Sequence, residues 1–337
     1  MRASRCARST APLVWNAAHY IKHASFQADF ARECLQRGSP SLESRLSTAA
    51  SLLDIGAGTG EHTRAMALKM PRDAFATGMD SSPQMVRAAR KLQGRAAQTT
   101  DGAETRFIAE DLRLWSDREE LRGVYDLATS FMALHWITEA ELPATLAGIR
   151  HSLDSSNGFL FASCHGVGSM RALFDAIDTV VDAASASTPR STSSSHTGRE
   201  GEPQGATSWG DVPAALAGER WAPNFPRGRD DFVPITMLTI DAWKAYLSDA
   251  GFEVSATDSV SMRSVKTIYV DKAATAERLN AAWGPMFPTL AVNQRSDFFE
   301  DVAEEAVRAA EVSACEPRPV VVESMVVDIA VGVVKQA

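Results

Sequence analysis

Cysteine is scarce in this chain. Cys6, Cys34, Cys164 and Cys315 are all it has in 337 residues, and no two form a Cys-x-x-Cys pair. That argues against a zinc ribbon or a disulfide framework and reads as free thiols in a reducing compartment. Long apolar runs are missing too. Val320 to Val334 comes nearest, but Glu323, Asp328 and Gly332 interrupt it, so it is expected as one or two sheet strands and not as a membrane span. There is no basic block, and the formal net charge is −8. A nucleic-acid backbone needs a positive face, so neither nucleic acid nor membrane is expected as a partner. Acids are absent before Asp29, while Arg2, Arg5 and Arg8 stand near the start. That is the composition of a presequence. Residues 1–14 are nevertheless read as a flexible tail and the protein as cytoplasmic, with mitochondrial targeting the lesser alternative. Finally, residues 183–220 have no apolar period and are dominated by Ser, Thr, Gly and Pro. Such a segment cannot bury enough surface to offset its ordering entropy, so a disordered insertion is expected there.

What is present is concentrated between Leu52 and Asp80. Leu52, Leu53 and Ile55 make a short apolar run suited to a buried parallel strand. Gly56, Gly58 and Gly60 follow at alternate positions, where the lack of a Cβ lets the backbone turn sharply and a ligand approach closely. A helical stretch comes next, and Asp80 closes a second strand. An acid at that place can accept both hydroxyls of a ribose. The dinucleotide fingerprint wants Gly-x-Gly-x-x-Gly, but position 61 is Glu. A carboxylate at the helix start would repel a pyrophosphate. Asp54 precedes the turn and is expected to face the crevice mouth. Acids around the turn suit a ligand with a cationic end and no phosphate.

Strands are predicted near 51–56, 74–80, 105–110, 125–131 and 158–164, and helices near 15–37, 60–70, 82–93 and 139–153. A further helix opens at Thr239, a strand runs from Phe252 to Val260, a helix-rich segment spans 273–313, and a strand pair lies in 320–335. Trp221, Phe225 and Phe232 are expected to dock back as a cap. Alternating strands and helices imply a doubly wound sheet with its ligand at the carboxyl edge.

The series DIGAGTG, GMDSSPQM, AEDL (109–112) and YDLATSFMALHW (125–136) resembles the motifs of class I S-adenosylmethionine-dependent methyltransferases. The resemblance covers roughly residues 50–165. It implies a Rossmann-like seven-stranded α/β sheet with a helical cap, one domain over 15–337 interrupted by the insertion, and S-adenosylmethionine as cofactor with S-adenosylhomocysteine as product. On the cofactor it places Tyr20, Asp54, Gly56, Gly58, Gly60, Asp80, Ser81, Met85, Asp111, Leu112 and Ser130. Asp111 stands where relatives meet the adenine amine, Met85 and Leu112 beside the ring, and Ser130 near the methionine moiety.

The chain lacks the Asn/Asp-Pro-Pro-Tyr/Phe box that methyltransferases of nucleic-acid bases tend to carry after the fourth strand. It has Ser130-Phe131-Met132-Ala133 there, which favours a small-molecule substrate. Leu134-His135-Trp136 resembles a subgroup that methylates carboxylates, including trans-aconitate, juvenile hormone acid and malonyl-carrier-protein methyltransferases. In that subgroup Gln27 and Trp136 would orient the carboxylate. A carboxylate is already ionised near neutrality, so positioning suffices and no general base is required. His135 is the alternative actor, as a base for a hydroxyl, amine or sulfur acceptor. Arg263 could pair with a further substrate carboxylate. His19 and His23 have a spacing compatible with metal, but no further ligand is evident and none is expected. A monomer or a homodimer fits the chain equally.

Overall fold

The computed structural model describes residues 15–23, 29, 32–33, 40–96, 102–182, 221–225, 232–233, 235–255, 259–269, 272–312 and 320–334. The expected tail at 1–14 and the expected insertion at 183–220 lie outside these residues.

Five parallel strands form the core of one sheet: β1 (Ser51–Ile55), β2 (Phe75–Asp80), β3 (Glu104–Ala109), β4 (Leu127–Phe131) and β5 (Phe159–His165). Their spatial order is β3-β2-β1-β4-β5. Leu53 pairs with Thr77 on one side and Ala128 on the other. Order therefore reverses at β1, and the crevice for a ligand opens between the carboxyl ends of β1 and β4. The sheet then continues into β8 (Val320–Val333), which runs antiparallel to β5 from Phe159↔Gly332 to His165↔Val326.

Successive residues of each strand point to opposite faces. Leu53, Ala128 and Leu160 join one core with helix α5 (Leu142–Ser152) and helix α7 (Ile240–Asp249). Leu52, Leu127 and Phe161 join the other with α2 (Pro40–Leu46) and α3 (Glu61–Ala67). Helix α4 (Pro83–Ala96) follows β2.

One strand expectation is corrected and another is narrowed. The strand predicted over Phe252–Val260 is broken into β6 (Phe252–Glu253) and β7 (Val260–Tyr269), both antiparallel to β8. The backbone N–H of Ser255 donates to Ser259 Oγ at 2.7 Å. Both pieces pair with β8, so the expected seventh strand is present as two pieces of an eight-stranded sheet. The region 320–335 is a single strand, because its charges are matched sideways. Asp328 accepts from Arg263 Nε at 2.6 Å and from Ser163 Oγ at 2.5 Å, and Glu323 accepts from Ser264.

Helix α1 (Ala17–His23) covers part of the predicted span 15–37. Asp29, Arg32 and Glu33 are also helical, whereas Gln27 lies outside the described residues. A third core joins α6 (Arg171–Asp182), α8 (Lys272–Trp283) and α9 (Val292–Val312) to Trp221, Phe225 and Phe232, the aromatics expected to dock as a cap. Among the described residues, no helix is long and apolar enough to cross a membrane.

Phe298 is sealed at the centre of this third core, with ring centroids of Trp221, Phe225, Phe287 and Phe299 between 5.0 and 5.7 Å away. Truncation there leaves a cavity, so Phe298→Ala should lower unfolding free energy by about 3–5 kcal/mol in urea titration.

Candidate functional site

The glycine turn sits at the carboxyl end of β1. Gly56 has φ +71°, and a Cβ built on it would stand 2.2 Å from the Ala133 Cβ. The turn and the segment after β4 therefore touch so closely that only hydrogen fits between them. A Cβ built on Gly58 meets nothing within 4 Å, so the space above the centre of the turn is open to a ligand. The Gly58 N–H points sideways and donates to Asp80 Oδ2 at 2.9 Å.

Asp80 is thereby fixed beside the turn. Its other oxygen accepts from the Ser82 N–H at 2.8 Å, and Ser82 in turn caps α4, taking the Met85 N–H at 3.4 Å. A carboxylate offers about four lone-pair positions, so Asp80 keeps acceptors for a ligand's hydroxyls. Burial pushes its pKa up, against the pull of these two backbone bonds. Ser81 is exposed and Met85 buried. Tyr20 approaches from α1. Its ring meets that of Trp15 edge-on at 5.7 Å, and its hydroxyl pKa is raised by burial first, then by the charges of Asp80 and Glu61.

Asp54 is not at the crevice mouth. It is only 2% exposed, lying under the turn between α3 and β4. Thr63 Oγ1 donates to its Oδ2 at 2.5 Å and Thr129 Oγ1 to its Oδ1 at 3.0 Å. The reason is strand alternation: Asp54 points to the same face as Leu52, where α3 begins. Burial lifts its pKa from 3.8 to about 6. Ser130 is likewise turned inward, donating to the Ile55 carbonyl at 3.1 Å. Asp111 caps the short helical turn Leu112–Leu114 and holds Arg113 through Nε at 2.8 Å, which keeps its carboxyl below the ordinary range. Arg113 also reaches Glu141. Leu112 is buried in the core beside Met79 and Trp115.

At the end of β4, Met132 leaves the strand with φ +54° and its N–H donates to the Ser163 carbonyl at 2.7 Å. A left-handed residue other than glycine costs about 1–2 kcal/mol. Here it swings the chain into the one-turn helix Leu134–Trp136. His135 is buried beside His165, with ring centroids 4.7 Å apart. His135 Nδ1 has no hydrogen-bond partner among the described residues, whereas His165 Nδ1 meets Ser169 Oγ at 2.7 Å. Burial, and then the neighbouring His165, holds the His135 imidazole well below its usual range. Burial brings His165 down to about 3. Trp136 packs between Trp15 at 5.3 Å and Trp283 at 5.7 Å.

Sequence reasoning missed Trp15, His165, Trp283 and Met132. His165 ends β5 just as His135 follows β4, and only the β4–β5 pairing brings them together. Arg263 does not face the crevice; Asp328 and Glu33 hold it on β7, at 2.6 and 3.6 Å. His19 lies 3.6 Å from Glu277. No group of three metal-ligating side chains occurs among the described residues.

The open face above Gly58, the carboxylate of Asp80 and the phenol of Tyr20 fit an adenosine-bearing cation better than a phosphate ester. Gly56→Ala should therefore weaken S-adenosylhomocysteine binding at least about tenfold in calorimetry and lower stability by about 2 kcal/mol. A second expectation concerns pH. The folded state holds the Asp54 proton more tightly than the unfolded chain, so this group's contribution to stability falls as pH rises from 3.8 to about 6. In urea titrations across that window, Asp54→Asn should gain on the parent protein as pH rises.

The family described as a methyltransferase domain matches residues 52–156. An uncharacterized methyltransferase of Schizosaccharomyces pombe is 26% identical over 169 residues, 50% of this chain and 57% of that protein. The trans-aconitate 2-methyltransferase of Mycobacterium ulcerans is 34% identical over 130 residues, 37% of this chain and 40% of that protein. The chain thus spans roughly half the length of the relatives it matches. The crystal structure of the YcgJ protein from Bacillus subtilis aligns with TM-score 0.49 and 10% identity, covering 88% of this chain and 97% of that one. The match to a methyltransferase domain falls on residues 52–156, the stretch that carries the glycine turn, Asp80 and the reversal of strand order at β1.

Proposed function

We propose that the protein transfers a methyl group from S-adenosylmethionine to the carboxylate of a small organic acid. The observation that carries this is the acceptor side itself. Among the described residues it offers indole walls and two imidazoles that burial keeps from taking up a proton. A hydroxyl acceptor would need His135 to take up a proton, and both its burial and the neighbouring His165 oppose that. A carboxylate arrives already ionised.

Trp136 has an indole N–H to donate, and Gln27 is proposed as the second donor; neutral donors orient an anion without trapping it in the ground state. Asp80 and Tyr20 are proposed to hold the ribose, and Asp111 with Leu112 and Met85 to frame the adenine. Ser81 and Ser130 complete the proposed cofactor shell, Ser130 by keeping the end of β4 against β1. When bound, the cofactor supplies an electrophilic methyl group on a sulfonium. The chain's part is to align the acceptor oxygen and to exclude water with Trp15, Trp136 and Trp283. Support for a carboxylic acid also comes from the relative named for trans-aconitate.

The test is methyl transfer from labelled cofactor to a panel of carboxylic acids, with mild base treatment of the product. Labelled methanol should be released, as an ester requires. Trp136→Phe should lower kcat/KM by about tenfold or more, the size of one hydrogen bond to a charged group, and His135→Gln by less. A base-stable labelled product, or turnover of alcohols alone, would sink the proposal.

A further inference from the structure

A cavity of about 470 Å³ lies between α1, α8, α9 and the start of α4, walled on one side by Trp15. This volume is in the range of small-molecule sites. Arg295 reaches it from the first turn of α9. The guanidinium donates through Nε to the Leu290 carbonyl and through Nη2 to the Phe287 carbonyl, both at 3.3 Å. Among the described residues no carboxylate lies within ion-pair distance of it. Burial is the cause that lowers its pKa. The start of a helix also disfavours a cation, so Arg295 stands against its local electrostatics with only neutral oxygens for company. An unmatched cation in such a place is most simply matched by an anionic ligand.

The rest of the lining agrees. Asn280 Nδ2 donates to Ser296 Oγ at 3.2 Å, and Asn16 and Gln84 add further neutral polar groups. The one carboxylate in the wall is Glu277, whose Oε2 lies 3.6 Å from His19 Nε2. Apolar surface from Trp15, Pro285 and Val292 fits a short carbon skeleton. Helix α1 and the residues before it bring Trp15, Asn16 and His19 to this cavity, and Trp15 also packs on Trp136 at 5.3 Å.

We propose that this cavity binds a carboxylate-bearing small molecule, with Arg295 as its anchor. The carboxylate has two sources: a second carboxylate of the methyl acceptor, which rests on the function proposed above, or a separate organic acid, which does not.

The experiment is calorimetry on the full chain with succinate, glutarate and tricarballylate as probes and succinamide as the neutral control. At least one acid should bind and the amide should not. Arg295→Gln should weaken that binding about tenfold or more, the loss of a charge-assisted contact, while S-adenosylhomocysteine binding is kept. Arg295 also braces two carbonyls, so a second variant with the opposite sign is needed. Glu277→Gln removes a repelling charge and should tighten the acid severalfold, which a merely structural role would not do. If the bound acid is methylated and Arg295→Gln raises KM while keeping kcat, the acceptor's own second carboxylate is the occupant. If it is not methylated but changes turnover of another acceptor, the occupant is a separate acid. Binding is measured without turnover, so it stands or falls independently of carboxyl methylation. No binding by any probe, equal binding by Arg295→Gln, or weaker binding by Glu277→Gln would overturn the proposal.

Discussion

The carboxylate of Asp54 holds three elements to one point. It belongs to β1, takes one hydroxyl from α3 through Thr63 and another from β4 through Thr129, and lies directly beneath the glycine turn. Burying an acid is costly unless its lone pairs are filled. Here one hydroxyl donates to each oxygen, and the burial these bonds permit locks the turn over the reversal in strand order. The contact between Gly56 and Ala133, the placement of Asp80 by the Gly58 N–H, and the exit of β4 toward Trp136 all inherit that geometry. The residue acts on a ligand only through the shape it imposes.

The strand order and the crevice were legible because each strand end carries a local signal. Apolar runs, alternate glycines and the acid at Asp80 follow one another at the spacing of a strand-turn-helix-strand unit. The direction of Asp54 was not legible. An acid before a glycine turn reads equally as lining a mouth or as bracing a floor, and only the partner hydroxyls, nine and seventy-five positions away, decide it. The break between β6 and β7 was hidden in the same way, by a serine-to-serine contact that no periodicity announces. The aromatic wall was harder still. Trp15, Trp136 and Trp283 come from separate parts of the chain, and Arg263 offered a cation that β8 had already neutralised. Arg295, with no such partner among the described residues, carried no mark in the sequence.

The two sides of the crevice differ in physical character. The cofactor side is rich in fixed carboxylates and backbone donors, whereas the acceptor side is lined by indoles and by imidazoles that burial keeps uncharged. Charges interact more strongly where water is excluded. The function proposed above, in which charge is lost and no side chain need take a proton, rests on that contrast. The left-handed Met132 belongs to this design, since the strained residue aims the Leu134–Trp136 turn into the gap.

Strand β8 has a consequence for how the molecule is made. It follows every other described strand, yet it lies inside the sheet, with β5 on one edge and β6 and β7 on the other. During synthesis the five parallel strands emerge and can pair while β5 still presents a bare row of backbone donors and acceptors. Such an edge is a template for another chain. The nascent protein therefore passes through an interval of exposure that ends only when residues 320–333 clear the ribosome and slide between β5 and β7. Until then the edge of β5 is open to pairing with a neighbouring chain.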